Sequence, residues 1–214
     1  MISKGAEFSE YLKQNYKCKP QDLLRRKLKY GVGLNDSDYI TQPSIGDARV
    51  RCPAYSAWCE VIKRGYCSKY KAKYPTYEGV IVCDDWLVFS NFREWFIQNH
   101  VDGYELDKDF IGNGKLYSPE NCIYMPNWLN SFLTNCNHKG VCLTGVHKVR
   151  NKYRAECQNP VTGIREHLGY FHYEEEAHIA WKNFKLHLAE QRKDEFDNIH
   201  IELYDYIINK IKNV

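Results

Sequence analysis

Three short alternating segments followed by one long amphipathic stretch, all within residues 145–188, restrict this chain more than any other feature of its sequence. GVHKV and YRAEC alternate apolar and polar residues with period two, the pattern of half-buried strands, and NPVTG (159–163) is a turn leading into a third strand, IREHLG. A helix follows from Glu174, Glu175 and Glu176, carboxylates suited to the positive end of a helix dipole. Its Ala177, Trp181, Phe184 and Leu188 recur at i, i+4, i+7 and i+11 on one face. Three antiparallel strands packed on one helix leave the far side of the sheet open. Alternation brings long side chains such as Lys148, Arg154 and Arg165 within reach of that side.

A second compact pattern lies upstream. In YELDKDFIGNGKLYSPENCIYMPNWLNSFLT (104–134) a short strand ends at Leu106-Asp107 and a Gly/Asn-rich loop follows, with the turn signal Asn113-Gly114. A second strand covers Cys122 to Met125, and a helix opens near Pro126. Such a unit aims one carboxylate and one amide at a shared point, which suits a hard divalent cation that keeps several waters. Each residue also has a structural reading: Asp107 and Asp109 as turn formers, Asn130 as a surface residue.

Between 84 and 100, Trp86, Phe89, Phe92 or Arg93, and Phe96 recur at helical spacing behind Asp84 and Asp85, which predicts a helix with a core-facing aromatic stripe. A helix is expected from Ala54 to Lys63. Residues 61–77 hold five basic residues and no acidic one, and Lys69, Lys71 and Lys73 interleave with Tyr66, Tyr70, Tyr74 and Tyr77. That pattern fits phosphates and stacked bases, or tyrosines packed beside solvated lysines. Residues 6–30 read as helical. The stretch from Gly31 to Pro53 reads as a linker or arm.

A chain of 214 residues, 43% hydrophobic and 27% charged, has material for one large or two small folded domains and is not disordered in composition. No apolar run approaches the roughly 20 residues of a membrane span, and the N-terminus lacks a signal-peptide core, so a cytoplasmic protein is expected. The nine cysteines are accordingly expected as reduced thiols. Basic residues outnumber acidic ones eight to three in 1–34 and ten to six in 139–193, while acidic residues lead thirteen to ten in 35–138 and five to two in 194–214. Two basic blocks of this kind grip phosphates or form solvated faces.

The run from Tyr74 to Tyr124, with YEGVIVCDDW, FSNF, LDKD and GKLYSPENC, resembles the HNH endonucleases of phages, a branch of the His-Me finger superfamily. The resemblance implies a ββα-metal fold, with Mg²⁺ or Mn²⁺ held by Asp107 and Asn130 and a loop organised by Asn121. The family's general base is the histidine after the acidic ligand, and this chain has Lys108 there. A histidine with a pKa of about 6.5 accepts a proton at neutral pH, whereas a lysine at about 10.4 does not unless its surroundings lower that value. Three readings follow: a depressed Lys108 as base, His100 as its substitute, or a site that binds without cleaving. Cys122, Cys136, His138 and Cys142 are soft ligands close in sequence, but the lack of a paired Cys-x-x-Cys argues against structural zinc.

GVHK, KYRAE, REHLGYF and EEEAHIAW are similar to the APETALA-type DNA-binding domain of plant ethylene-response factors, also found in phage homing endonucleases. That family inserts its sheet into the major groove. Carried over, the DNA-facing residues are His147, Lys148, Arg150, Arg154, Glu156, Arg165 and His167. His147 and His167 stand where arginine and tryptophan are usual, which leaves the target sequence open.

The sequence therefore predicts an α+β protein: a helical arm and linker (1–45), an HNH-like nuclease domain (46–138), a three-stranded antiparallel sheet packed on one helix (139–193) and a C-terminal packing helix (194–214). The expected partner is double-stranded DNA and the expected state a monomer. The expected activity is metal-dependent nicking or cleavage. The alternatives are a retired nuclease that regulates by binding DNA, and an interaction protein acting on a host factor.

Overall fold

Ser3 opens the first helix by accepting the backbone N–H of Ala6 on its side chain, the usual way to satisfy a donor that a helix start leaves free. The computed structural model describes residues 2–112, 114–134, 136, 141–160 and 162–214. They form an α+β chain of two compact units, 1–124 and 125–214.

The first unit runs α1 (Lys4–Asn15), α2 (Pro20–Leu24), the two-residue strands β1 (Ser44–Ile45) and β2 (Ala48–Arg49), α3 (Pro53–Tyr66), α4 (Ser68–Lys73), β3 (Ile81–Val82), α5 (Asp84–Leu87), α6 (Phe89–Asn99), β4 (Tyr104–Asp107) and β5 (Leu116–Tyr117). Strand β6 (Ile123–Pro126) pairs with β4 and carries the chain across the boundary at Tyr124. Strands β3 and β5 pair in parallel.

Proline at the first position of α3 matches its fixed φ to a helix start. That helix buries Ala54, Trp58, Val61 and Ile62 against Leu12, Tyr39, Trp86, Phe89, Phe92 and Phe96. The aromatic stripe is core, as its spacing predicts, and Trp58 Nε1 donates to the carbonyl of Trp86 at 2.7 Å.

Two expectations change here. The helix expected across 84–100 breaks at Val88, which is extended. Leu34 N–H donates to Leu87 O at 2.8 Å and Phe89 N–H to Leu34 O at 2.9 Å, so these groups are satisfied outside a continuous helix. Asp36 then accepts the Ser90 N–H at 2.9 Å, within the first turn of α6. The stretch 31–53 is irregular apart from the short β1–β2 hairpin, but it is not a peripheral arm: Tyr39 is buried in the core, and Leu34 and Asp36 divide α5 from α6.

The second unit runs α7 (Asn127–Thr134), β7 (Val146–Val149), β8 (Lys152–Gln158), β9 (Arg165–Phe171), α8 (Glu174–Glu190), α9 (Lys193–Ile199) and α10 (Leu203–Lys212). Strands β7, β8 and β9 form one antiparallel sheet in that order, packed on α8. Val146, Ala155 and Ala177 are its buried centre, with Tyr153, Leu168 and Phe171 around them. The tail forms two helices rather than one; α10 lays Leu203, Ile207 and Ile211 inward at i, i+4 and i+8 and contacts α8. On α8 Lys185 is fully buried along with Ala177 and Ala189, whereas Phe184 is only partly covered. Its ammonium donates to Phe132 O at 2.8 Å and lies 3.6 Å from the centre of the Phe132 ring. Burial pushes its pKa below the ordinary lysine value. Among the described residues no helix is long and apolar enough to cross a membrane.

Gly145 has φ +79°, and a Cβ there would lie 2.1 Å from the Trp181 ring. Gly145→Ala is expected to destabilise the second unit by roughly 2–5 kcal/mol through left-handed strain and overpacking, measured as a lower denaturant midpoint. Because the folded-state pKa of Lys185 lies below its unfolded value, the unfolded chain binds more protons between the two. Stability should therefore rise with pH through that window, up to about 10.4. Lys185→Met should remove this part of the pH dependence in denaturation series from pH 7 to 10.

Candidate nucleic-acid interface

The register of the three-stranded sheet decides which side chains share its open face. Residues paired across antiparallel strands point to the same side. Val146 pairs with Ala155 and Ala155 with Gly169, which marks the helix side. His147, Arg154 and Tyr170 then form a row on the opposite side, joined by the pairs Glu156–His167 and Gln158–Arg165. The register shifts between Ala155 and Glu156, so Leu168 has no opposite residue and Gly169 takes φ +128°. One extra residue in a strand inverts the side on which every later residue lies.

Glu156 sits at the centre of this face. Its carboxylate lies 3.2 Å from Arg154 Nε, 3.7 Å from His147 Nε2 and 4.0 Å from Arg165 Nη1. The Arg154 contact is an ion pair without hydrogen-bond geometry, since that buried Nε has no hydrogen-bond partner. The rings of His167 and Tyr170 lie 4.9 Å apart. The face thus combines two guanidinium groups, two imidazoles and an exposed phenol around one largely covered carboxylate.

Five of the seven residues expected on this face are there: His147, Arg154, Glu156, Arg165 and His167. Lys148 is a correction. It pairs with Tyr153 on the helix side, and its ammonium lies 6.0 Å from the centre of that ring. Arg150 stands in the β7–β8 turn with φ +54°. Tyr170 was missed: strict alternation from Arg165 turns it inward, and only the bulge brings it out.

In the first unit, α4 carries Lys69 and Lys73 exposed, while Lys71 donates to Val80 O at 3.1 Å. Its tyrosines pack on one another, with Tyr70 4.7 Å from Tyr74 and 5.4 Å from Tyr77 between ring centres.

Asp107, at the end of β4, turns its Oδ1 back on the chain and accepts the N–H groups of Asp109 at 2.9 Å and Phe110 at 3.0 Å. Burial pushes its carboxyl above the ordinary carboxylate value, partly opposed by the bond from Asp109. Lys108 does not pair with it. The Lys108 ammonium is buried, donates to Asp109 Oδ1 at 2.6 Å and lies 5.6 and 5.7 Å from the ring centres of Tyr77 and Tyr117. These are the contacts of a charged donor, whereas a general base must be neutral. Asn121 packs its side chain against Gly112, where a Cβ would lie 3.0 Å away, and so braces the loop after β4.

His100 is tied to the start of α1. Its Nδ1 is 2.7 Å from Ser3 Oγ, and its ring stacks on Phe96 at 4.3 Å. Asp102 accepts the N–H groups of Lys4 and Gly5 at 2.7 and 3.0 Å, and its carboxylate is 3.9 Å from the same Nδ1. Ser3 and Asp102 meet one ring nitrogen rather than two, which is an anchor and not a proton relay. Burial lowers the His100 pKa, partly opposed by Asp102.

Asn130 lies on α7 in the second unit, so Asp107 is the ligand to be judged in the first. Among the described residues no three His, Cys, Asp or Glu side chains form a metal-ligand group. Of the four soft ligands, His138 lies outside the described residues. Cys122 is buried with its thiol pushed up to about 12, and burial also raises the Cys136 thiol. No family model matches the chain, and no curated protein or solved structure is significantly similar to it.

Asp107→Asn keeps an oxygen for both N–H groups and removes a charge that burial disfavours. The folded pKa of Asp107 lies above the unfolded one, so its contribution is most favourable below about pH 3.9 and is lost as pH rises through the folded value. Asp107→Asn is therefore expected to match or exceed the wild type in stability at pH 7, with the gap closing in acid. Asp107→Ala should lose roughly 1–3 kcal/mol, both read from urea midpoints.

Proposed function

We propose that this protein binds double-stranded DNA through the open face of its three-stranded sheet. The observation that carries the reading is the convergence of Arg154, Arg165, His147, His167 and Tyr170 around Glu156 on one solvent-facing side. Guanidinium groups donate to guanine edges or to phosphates, imidazoles offer further polar contacts, and a ring in the row meets apolar base edges. Glu156 limits where the arginines rest, which favours base contacts over indiscriminate attraction to the backbone. The likeness of this segment to the APETALA-type domain supports the same surface.

A second reading is phosphodiester hydrolysis of the HNH type, favoured by the half-buried Asp107 carboxylate that Lys108 leaves unpaired. The fit is to a hard ion: an oxygen ligand whose second carboxylate oxygen takes no part in the turn, with water completing the shell. A bound Mg²⁺ or Mn²⁺ would supply charge stabilisation at the leaving oxygen of a scissile phosphate. Asp107 would hold the ion, and Asn121 would keep the loop beside it closed. Lys108 and His100 are both engaged elsewhere, so the DNA-binding reading stands ahead of hydrolysis.

Arg154→Ala and Arg165→Ala should each weaken binding to a duplex selected from random sequences by about 1–3 kcal/mol in gel-shift titrations. Wild-type affinity in both variants would remove the sheet from the interface. Nicking of supercoiled plasmid that needs Mg²⁺ and disappears in Asp107→Asn, a variant expected to fold, would establish the hydrolytic reading. Nicking that survives EDTA would exclude it.

A further inference from the structure

We propose that Lys108 is a phosphate-binding cation masked by Asp109, and that the DNA backbone displaces the Asp109 carboxylate when the first unit meets it. The inference rests on the DNA-binding reading but concerns a different surface from the sheet.

Two cations converge on the Tyr77 ring. The Lys108 ammonium is 5.6 Å from its centre and the Arg64 guanidinium carbon 5.7 Å. Arg64 Nη1 also donates to the Tyr117 hydroxyl at 3.3 Å, and its buried Nε has no hydrogen-bond partner. Among the described residues Asp109 is the one carboxylate paired with either cation; Glu60, a turn before Arg64 on α3, accepts from Lys63 at 2.7 Å instead. Asp107 lies within electrostatic reach of Lys108 but turns its Oδ1 to the N–H groups of Asp109 and Phe110, so the two cations meet a single paired carboxylate, and that one is mostly in solvent.

The Asp109 side chain marks where that anion enters. It is 64% exposed, whereas the Lys108 side chain it covers is 8% exposed, so the ammonium is reached from solvent along the Asp109 carboxylate. Losing Asp109 with nothing in its place would strand a buried ammonium, so the exchange needs an anion that arrives as the carboxylate leaves. A phosphate oxygen offers the ammonium an equivalent charge-assisted bond. It also releases counterions from the DNA, which a carboxylate on the same chain does not. Lys108 thus acts as a bound cation, in keeping with its donor contacts.

The test is the salt dependence of binding to a fluorescein-labelled duplex of random sequence, with the full chain. Asp109→Asn, an exposed substitution, should tighten binding and steepen the slope of log K against log salt by about 0.9. A fall from about 200 to 50 mM salt then strengthens it about 3.5-fold more than the wild type. In Lys108→Met/Asp109→Asn, where methionine fills the space between the rings without charge, that extra gain should vanish. Lys108→Gln replaces it if the methionine variant does not fold by circular dichroism. Unchanged or weaker binding by Asp109→Asn overturns the proposal. So does a gain that persists in the double variant, since Lys108 then takes no part in it, or one that Glu78→Gln, at another exposed carboxylate of the first unit, reproduces, which would be general removal of surface charge. Arg154→Ala in the same series reports on the sheet. Loss of affinity there beside an unresponsive Asp109→Asn sinks this inference alone, and a wild type that binds no duplex sinks both.

Discussion

Desolvating a cation is costly enough to organise whatever surrounds it, and each unit of this chain is built around that cost. Arg93, buried under α1, donates to Ser9 O at 3.1 Å and to Glu10 at 2.8 Å and lies 5.6 Å from the centre of the Tyr39 ring, so the first helix is held by a buried charge. Lys108 answers the same demand with a carboxylate and two aromatic faces. Among the described residues Lys185 pairs with no carboxylate; it uses a carbonyl at the end of α7 and the Phe132 ring, and burial lowers its pKa. A buried ion pair or a cation on a ring seldom adds much net stability, but removing one partner strands the other. Such contacts therefore fix geometry more than they add to the depth of the fold.

The open sheet face depends on a different constraint. A sheet that packs one side on a helix leaves the other to solvent, and the pleat assigns alternate residues to each. In β9 the assignment is broken once, at Leu168 and Gly169. Without that bulge Tyr170 points at α8 and the row His147–Arg154–Tyr170 does not form. The helix side tolerates the irregularity because small residues, Ala155 and Ala177, lie at its centre and Trp181 closes over Gly145. Packing against α8 and recognition on the outer face are thus set by the same few residues of β8 and β9.

Much of this was legible in the residues. Period-two alternation gave the three strands, the turn at 159–163 joined two of them, and the triple glutamate marked the start of α8. The aromatic spacing of 86–96 gave the core of the first unit, because local chemistry alone settles which residues must leave water. The Asp107 strand end and the helix after Pro126 were equally visible.

What the sequence left undetermined shares a cause: each case turns on a partner remote in the chain or on one extra residue in a strand. The break at Val88 comes from Leu34, and Asp36 takes up Ser90 from the same distant loop. Tyr39 looked like linker because the residues that bury it lie on α3 and α6. Lys148 and Tyr170 exchange expected sides, the first through register and the second through the bulge. The charge on Lys108 is read from its type, but whether it faces Asp107 or Asp109 is not. By itself, then, the sequence determined the three strands and long helix of the second unit, the buried aromatic face of the first and the basic character of the second unit's sheet. Only tertiary structure decided which polar groups meet, because hydrogen bonds and ion pairs depend on distances of a few ångströms between residues whose separation in sequence carries no such information.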